Sequence, residues 1–282
     1  MKRSMFRLRS GGCPLPGTEN TANGRLRPGS RAVPRHVAVI MDGNRRYAGK
    51  HGIEKGLGHR MGTKTTRRVI EWAYEAGIRQ LTVYAFSTEN FNRDREEVRT
   101  IFALLAEKLT RLINDENTMK RGLCVRMIGD SSLLPPEIVS EMRALEEKTK
   151  NNDRMYVNIA LAYGGRQDLA QAFSRILADP ACPAGKTASV SELIPLIEQN
   201  LFPADGKTLP DVDLVIRTGG EQRTSNFLSW QANGSRAAFY VSEKMWPEFG
   251  LIDFRKALMA YAVSFRRRCR RDAEREACAV KI

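Results

Sequence analysis

The stretch His36-Val-Ala-Val-Ile-Met-Asp42-Gly43-Asn44-Arg45-Arg46 decides the fold. An unbroken apolar run from Val37 to Met41 reads as a strand covered on both faces, the pattern of a parallel sheet. It stops abruptly in a carboxylate, a glycine, an amide and two guanidiniums. In open α/β sheets, ligands gather outside the carboxyl ends of the strands, so this polar cluster falls where a site is expected. Gly43 lets backbone approach an anion closely, and N–H groups opening the next helix can hold phosphate oxygens. The planar fork of Arg46 suits phosphate. Asp42 repels phosphate and instead suits a Mg²⁺ ion that bridges to it.

Working outward, short β-branched or aliphatic runs alternate with longer helical patterns. The expected strands are His36 to Met41, Gln80 to Phe86, Leu123 to Ile128, Met155 to Ala162, Val212 to Arg217 and Ala237 to Ser242. Alternation of this kind predicts an α/β fold: one domain with a central, mainly parallel six-stranded sheet flanked by helices. Helices are expected over Thr63 to Ala76, closed by Gly77, and over Asp94 to Asn114. The latter carries Val98, Ile101, Phe102, Leu105, Leu109 and Leu112 at helical spacing. Others begin at Pro135 and Pro136, span Ser189 to Asn200, and run from Asp253 to Arg271. Asp179 to Lys186 and Pro203 to Pro210 read as surface loops. Ser10 to Pro34 is rich in Gly, Pro, Asn and Thr and poor in aliphatics, and residues 1–34 read as a disordered basic tail before a catalytic domain over 35–282.

The 282 residues carry 46 Lys and Arg against 32 Asp and Glu, a net charge of +14, which predicts anionic partners. Five cysteines, at positions 13, 124, 182, 269 and 278, have no C-x-x-C spacing and suggest a reducing, cytoplasmic location. No apolar run approaches the roughly twenty residues needed to cross a bilayer. The basic run Arg266 to Arg271 suits peripheral contact with anionic lipid. No nucleic-acid-reading motif is present, so nucleic acid is not an expected partner.

Two further strand ends repeat the chemistry of the first. Phe86-Ser87-Thr88-Glu89-Asn90-Phe91-Asn92-Arg93 follows the second strand, and Arg217-Thr-Gly-Gly-Glu-Gln-Arg223-Thr-Ser225-Asn226 follows the fifth. Lys55, Gly56, Gly58 and His59 add cations and bare backbone ahead of a helix. Together, one carboxylate and a surplus of anion donors point to a phosphorylated substrate. The run Gly58-x-x-x-Gly62-Thr-Lys-Thr superficially suggests a nucleotide P-loop, but its spacing is wrong and no strand precedes it.

These residues resemble the undecaprenyl diphosphate synthase family, the cis-prenyltransferases. The resemblance runs from His36 to about Phe249 through HVAVIMDGNRRYA, GLGHRMG, LTVYAFSTENFNR, MIGD, NIALAYGGRQDL, DLVIRTGGEQRTSNFLSWQ and MWPEF, in family order. The aspartate-rich D-D-x-x-D motif of trans-type synthases is absent. The resemblance implies transfer from an allylic prenyl diphosphate to an acceptor, by default isopentenyl diphosphate, with Mg²⁺ as cofactor, a homodimer, and an apolar tunnel bordered by Ala85, Ile101, Leu105 and Val125. It makes Asp42 the metal-binding carboxylate. It assigns Gly43, Asn44, Arg45, Arg46, Tyr47, Lys55 and His59 to the donor diphosphate, with Lys55 standing where the family usually has arginine. Phe86, Ser87, Asn90, Phe91, Arg93 and Glu97 fall to leaving-group departure and substrate placement, and Arg217, Arg223 and Ser225 to the acceptor phosphates.

The chain departs from the family where a His and a Glu commonly help hold metal at the acceptor. Those positions here are Gln222 and Arg236. Two acceptor readings therefore stand: Arg236 replaces the metal as charge partner and isopentenyl diphosphate still binds, or the acceptor is a second allylic diphosphate or an alcohol. A non-catalytic partner subunit is the third reading, and retention of Asp42, Asn44 and Arg46 speaks against it.

Overall fold

The structure is a computed structural model that describes residues 33–179, 189–203, 208–233 and 236–279, with backbone alone over the last five. Residues 1–32 of the expected tail, and much of both expected surface loops, lie outside the described residues. The strands are β1 (His36–Ile40), β2 (Gln80–Ser87), β3 (Leu123–Ile128), β4 (Met155–Tyr163), β5 (Leu214–Thr218) and β6 (Ala238–Ser242). They form one sheet in the order β3-β4-β2-β1-β5-β6, and every pairing is parallel. All six expected strands are present within one or two residues at each end.

Side-chain alternation splits the core in two. Val37 and Val39 of β1 point into the larger cluster, with Val69, Leu81, Val83, Leu109, Trp246 and Phe254, whereas Ala38 and Ile40 join Tyr84, Tyr163, Val215, Phe227 and Leu228 on the other face. The helices are α1 (Asn44–Lys50), α2 (Lys55–Glu75), α3 (Arg95–Asn114), α4 (Glu116–Lys120), α5 (Pro136–Thr149), α6 (Gly165–Ala178), α7 (Val190–Asn200) and α8 (Leu251–Ala279). Local signals explain several boundaries. Asp94 accepts from the Glu96 and Glu97 N–H groups to open α3, and Ser189 and Glu192 form a reciprocal capping box on α7.

One helix starts eight residues earlier than its pattern suggests: α2 begins at Lys55, not Thr63. Gly58 and Gly62 read as breakers in sequence, yet they are packing residues. A Cβ at Gly58 would lie 2.5 Å from the Asn44 carbonyl oxygen, and one at Gly62 would lie 2.3 Å from Asn44 Oδ1. The close approach of α1 to α2 therefore requires bare backbone and overrides the propensity cost of glycine, roughly 1 kcal/mol each.

From β1 the chain first builds the sheet toward β2, β4 and β3, and returns to add β5 and β6 on the other side. The β1/β5 boundary is thus the topological switch point, and its carboxyl edge is where the crevice of such a sheet opens. Asp42 follows β1 and Arg217 lies near the end of β5, on that edge.

Candidate active site

Asp42 is clamped by its own backbone. Its N–H donates to Thr218 Oγ1 at 3.0 Å, the Thr218 hydroxyl donates to the Asp42 carbonyl at 2.7 Å, and the Trp246 N–H donates to the same carbonyl at 2.9 Å. Its carboxylate accepts from Arg217 Nη2 at 2.8 Å and faces Arg46 Nη2 at 3.3 Å. Burial alone would push this carboxyl up; the Arg217 hydrogen bond and the Arg46 charge overcome that and hold it below its usual value. Gly43, the residue before α1, has φ of +109°, which only glycine adopts freely, and a Cβ there would lie 2.8 Å from Met245 Cβ.

Arg217 is the hub, with only 3% of its side chain exposed. Besides Asp42 it donates from Nη1 to Ser225 Oγ at 2.7 Å and to the Arg223 carbonyl. Its Nε has no partner, and neither has the buried Asn44 Oδ1. The Arg223 side chain is exposed and pairs with Glu221 at 2.9 Å. Asp42, Arg46, Arg217 and Ser225 therefore form one connected cluster, while Arg223 contributes its backbone and leaves its guanidinium in solvent.

A second cluster centres on Glu97, 8% exposed. Arg93 donates to it at 3.0 Å, His59 Nε2 lies 3.4 Å away, and Arg45 Nε lies 3.7 Å away. Burial lowers the His59 pKa, with Glu97 opposing and Arg93 assisting. Burial also lowers that of Arg93, which lies within electrostatic reach of Asp42, so the two clusters adjoin. Ser87 and Asn90 satisfy each other across the turn Thr88–Asn92, the Ser87 N–H donating to Asn90 Oδ1 at 3.2 Å. Phe86 packs edge-on against Phe91 at 4.9 Å. Lys55 is exposed at the start of α2, and Tyr47 stacks on His51 at 4.0 Å, giving that histidine a partner the sequence does not reveal.

Beside these clusters lies an apolar cavity of about 550 Å³. Its lining includes Met41, Asn44 and His59, then Ala85, Phe86, Ile101, Leu105 and Val125, and it reaches Leu112 near the end of α3. The four residues expected to border a tunnel all do so. The apolar stripe of α3 supplies part of the cavity wall through Ile101, Leu105, Leu109 and Leu112. Trp246 also lines it and donates from Nε1 to the Gly62 carbonyl at 2.9 Å.

Arg236 does not join the cluster within this chain. It precedes β6, at the amino-terminal edge of the sheet, and its nearest acid is Asp211 at 3.9 Å, which precedes β5 on the same edge. The expectation that it replaces a metal at the acceptor is corrected by the strand direction: parallel β5 and β6 put residues before them opposite Asp42. Gln222 is exposed on the loop after β5. Sequence reading passed over Thr218, whose hydroxyl couples the two strand ends, and Glu243, whose carboxylate stands 2.7 Å from where a Gly220 Cβ would be. It also passed over Asn226, although both Thr218 and Asn226 lie inside motifs it singled out.

A fully parallel sheet, a switch-point carboxylate among guanidiniums and an adjoining apolar cavity suit a substrate with an anionic head and a hydrocarbon tail. The chain belongs to the family described as "Putative undecaprenyl diphosphate synthase", whose profile matches residues 40–269. It is 47% identical over 232 residues to a tritrans,polycis-undecaprenyl-diphosphate synthase (geranylgeranyl-diphosphate specific) of Methanosarcina mazei, covering 82% of this chain and 77% of the relative. It is 40% identical to an isoprenyl transferase of Thermus thermophilus, covering 83% and 88%. Among solved structures, lavandulyl diphosphate synthase from Lavandula x intermedia in complex with dimethylallyl diphosphate matches with a TM-score of 0.74 at 32% identity, covering 82% of this chain and 96% of that one.

Proposed function

We propose that this prenyltransferase transfers an allylic isoprenoid chain from its diphosphate to isopentenyl diphosphate, lengthening the chain by successive cis condensations. The carrying observation is the pairing of Asp42 with Arg46 and Arg217 next to an apolar cavity of about 550 Å³. In this reading Gly43, Asn44, Arg45, Arg46, Tyr47, Lys55 and His59 receive the donor diphosphate. Ser87, Asn90, Phe86, Phe91, Arg93 and Glu97 serve departure and placement, and Arg217, Arg223 and Ser225 receive the acceptor diphosphate.

Mg²⁺ fits the residues present. Among the described residues no group of three or more His, Cys, Asp or Glu could hold a metal, and Asp42 would be the carboxylate that holds Mg²⁺, an ion commonly bound through one or two carboxylates together with substrate phosphates. When bound, it supplies neutralisation of the charge that develops on the departing diphosphate. The chain's own groups do the rest. Arg46 and the Glu97-centred cations stand fixed before charge develops, which costs no reorganisation during C–O cleavage. Asn44 Oδ1, buried and without a protein partner, is free to accept from a bound ligand or its water. The apolar wall of Ala85, Ile101 and Leu105 excludes water that would intercept the allylic cation. The acceptor double bond then attacks that carbon, and a proton is lost.

The reading includes a homodimer, supported by family membership and by the open edge of β6, where Phe239 is 42% exposed. It includes a cytoplasmic location with peripheral membrane contact through the basic end of α8; among the described residues no helix is long and apolar enough to cross a membrane. A second reading, an allylic diphosphate or alcohol as acceptor, draws on Gln222, a neutral amide where the family commonly has a histidine. Mass spectrometry of products from labelled allylic donors and a panel of acceptors decides between them. Products with isopentenyl diphosphate and Mg²⁺ alone support the first; products with the other acceptors and none with isopentenyl diphosphate overturn it.

A further inference from the structure

The loop after β5 carries three non-glycine residues with left-handed backbone: Ser225, Asn226 and Leu228, at φ of 49°, 59° and 48°. Such a conformation is strained for an ordinary L-residue, less so for asparagine, so something outside the loop must hold it. Asn226 is where it is held. Its carbonyl accepts from the Gly165 N–H at 2.7 Å and its Oδ1 accepts from the Arg166 N–H at 2.9 Å, fixing the loop to the first turn of α6. Its Nδ2 donates to Glu89 Oε1 at 3.0 Å and to Gln167 Oε1 at 3.2 Å. Glu89 belongs to the turn Thr88–Asn92 that also contains Asn90 and is opened by Ser87. The residue just before Asn226 is Ser225, whose hydroxyl accepts from Arg217, as does the Arg223 carbonyl two residues earlier in the same loop.

We propose that Asn226 is a positioning residue that locks the loop carrying Arg223 and Ser225 to the turn carrying Ser87 and Asn90, so that donor and acceptor are presented in one register. The inference rests on the assignment of the acceptor diphosphate to Arg217, Arg223 and Ser225. Asn226 touches neither reacting carbon; it acts by fixing Ser225 Oγ, the Arg223 backbone and, through Glu89, the facing turn. The carboxylate of Glu89 is held below its usual pKa by the Asn226 amide against the opposing effect of burial, so the link is a charge-assisted hydrogen bond.

Three variants and one double variant test it, with KM measured separately for each substrate. Asn226→Gly keeps the left-handed backbone and removes the side chain. It is expected to raise the acceptor KM about tenfold while the allylic KM stays within about twofold, the signature of lost placement on one side only. Asn226→Asp still accepts from Arg166 but sets a second carboxylate against Glu89, and is expected to do more harm than glycine. The double variant Asn226→Asp/Glu89→Gln re-forms the link with donor and acceptor exchanged, and is expected to recover most of the acceptor KM; a merely bulky or structural role gives no such recovery. Equal rises in both KM values, an unchanged acceptor KM in Asn226→Gly, or no recovery in the double variant overturns the proposal. Arg223→Ala separates the underlying assignment: if it leaves the acceptor KM unchanged, the acceptor lies elsewhere and the inference falls with that assignment. If Arg223→Ala raises it and the Asn226 variants do not, the lock alone is wrong.

Discussion

Toward the amino ends of the strands, His36 is 1% exposed, with Nδ1 2.8 Å from the Pro210 carbonyl and Nε2 2.8 Å from Thr82 Oγ1. At the carboxyl ends, Asn44 Oδ1 and Arg217 Nε are buried without a partner, and the guanidiniums of Arg46, Arg217, Arg45 and Arg93 share the two carboxylates of Asp42 and Glu97. The amino-end network is nearly closed. Thr82 also receives Asn158 Nδ2 at 3.1 Å, and Asp213 accepts from the Arg35 and His36 N–H groups at 2.7 and 3.0 Å, leaving Asn158 Oδ1 as its one loose acceptor. Both ends bury polar groups in the same sheet, yet one spends them on holding strands in register and the other holds donors in excess of the acceptors available. That surplus is what a diphosphate and its counter-ion would complete, and the cost of burying unpaired groups is the reason to expect a ligand there.

The comparison breaks most sharply at Asp42. Removing it outright leaves Arg217 buried and unpaired, at a cost of several kcal/mol, so the informative change keeps an acceptor for Arg217. Asp42→Asn is expected to lower kcat about 10³-fold in steady-state assays with the melting temperature nearly unchanged. His36→Ala should do the reverse, lowering the melting temperature while the folded fraction keeps its turnover. Interchanged effects would mean that the two ends have been assigned the wrong way round.

Arg46→Lys keeps the charge and loses the fork, and is expected to raise the allylic KM by roughly tenfold, with little change for the acceptor. Ala85→Phe intrudes on the cavity wall. It should leave the first condensation intact and shift the product distribution, read by mass spectrometry, toward shorter chains. The smallest effect sharpens the amino end. Burial lowers the His36 pKa to about 4, against 6.5 unfolded, so its neutral form contributes stability above the unfolded value. That contribution, on the order of 3 kcal/mol, is lost as pH falls from about 6.5 through about 4. Denaturant titrations of wild type and His36→Ala across that window should differ in slope by about one proton, and parallel curves would contradict the closed network.

The sheet was legible because each strand is a short apolar run, and because Asp42, Ser87 and Arg217 follow or end three of them. The start of α2 was not: Gly56, Gly58 and Gly62 look like a loop until α1 lies against Gly58 and Gly62 and Thr100 of α3 against Gly56. Nor was α6, which opens on Gly164-Gly165 and takes its first-turn partners from Asn226, distant in sequence. Within the site, Asp42, Arg46, Arg217 and Ser225 could be grouped because three strand ends carried one chemistry. Thr218, Glu89 and Asn226 act through contacts across as many as 176 residues, which no local spacing announces. Arg236 misled because position in a motif says nothing about which edge of the sheet it occupies. Its pairing with Asp211 follows from strand direction alone.

The most direct test is a crystal structure of the enzyme with Mg²⁺ and an allylic thiolodiphosphate that cannot ionise. The account predicts diphosphate density within hydrogen-bonding distance of Arg46, metal density on Asp42, and hydrocarbon running past Ala85 and Ile101 toward Leu112. A diphosphate bound away from Asp42 and Arg46, or a prenyl chain lying outside the cavity, would contradict it.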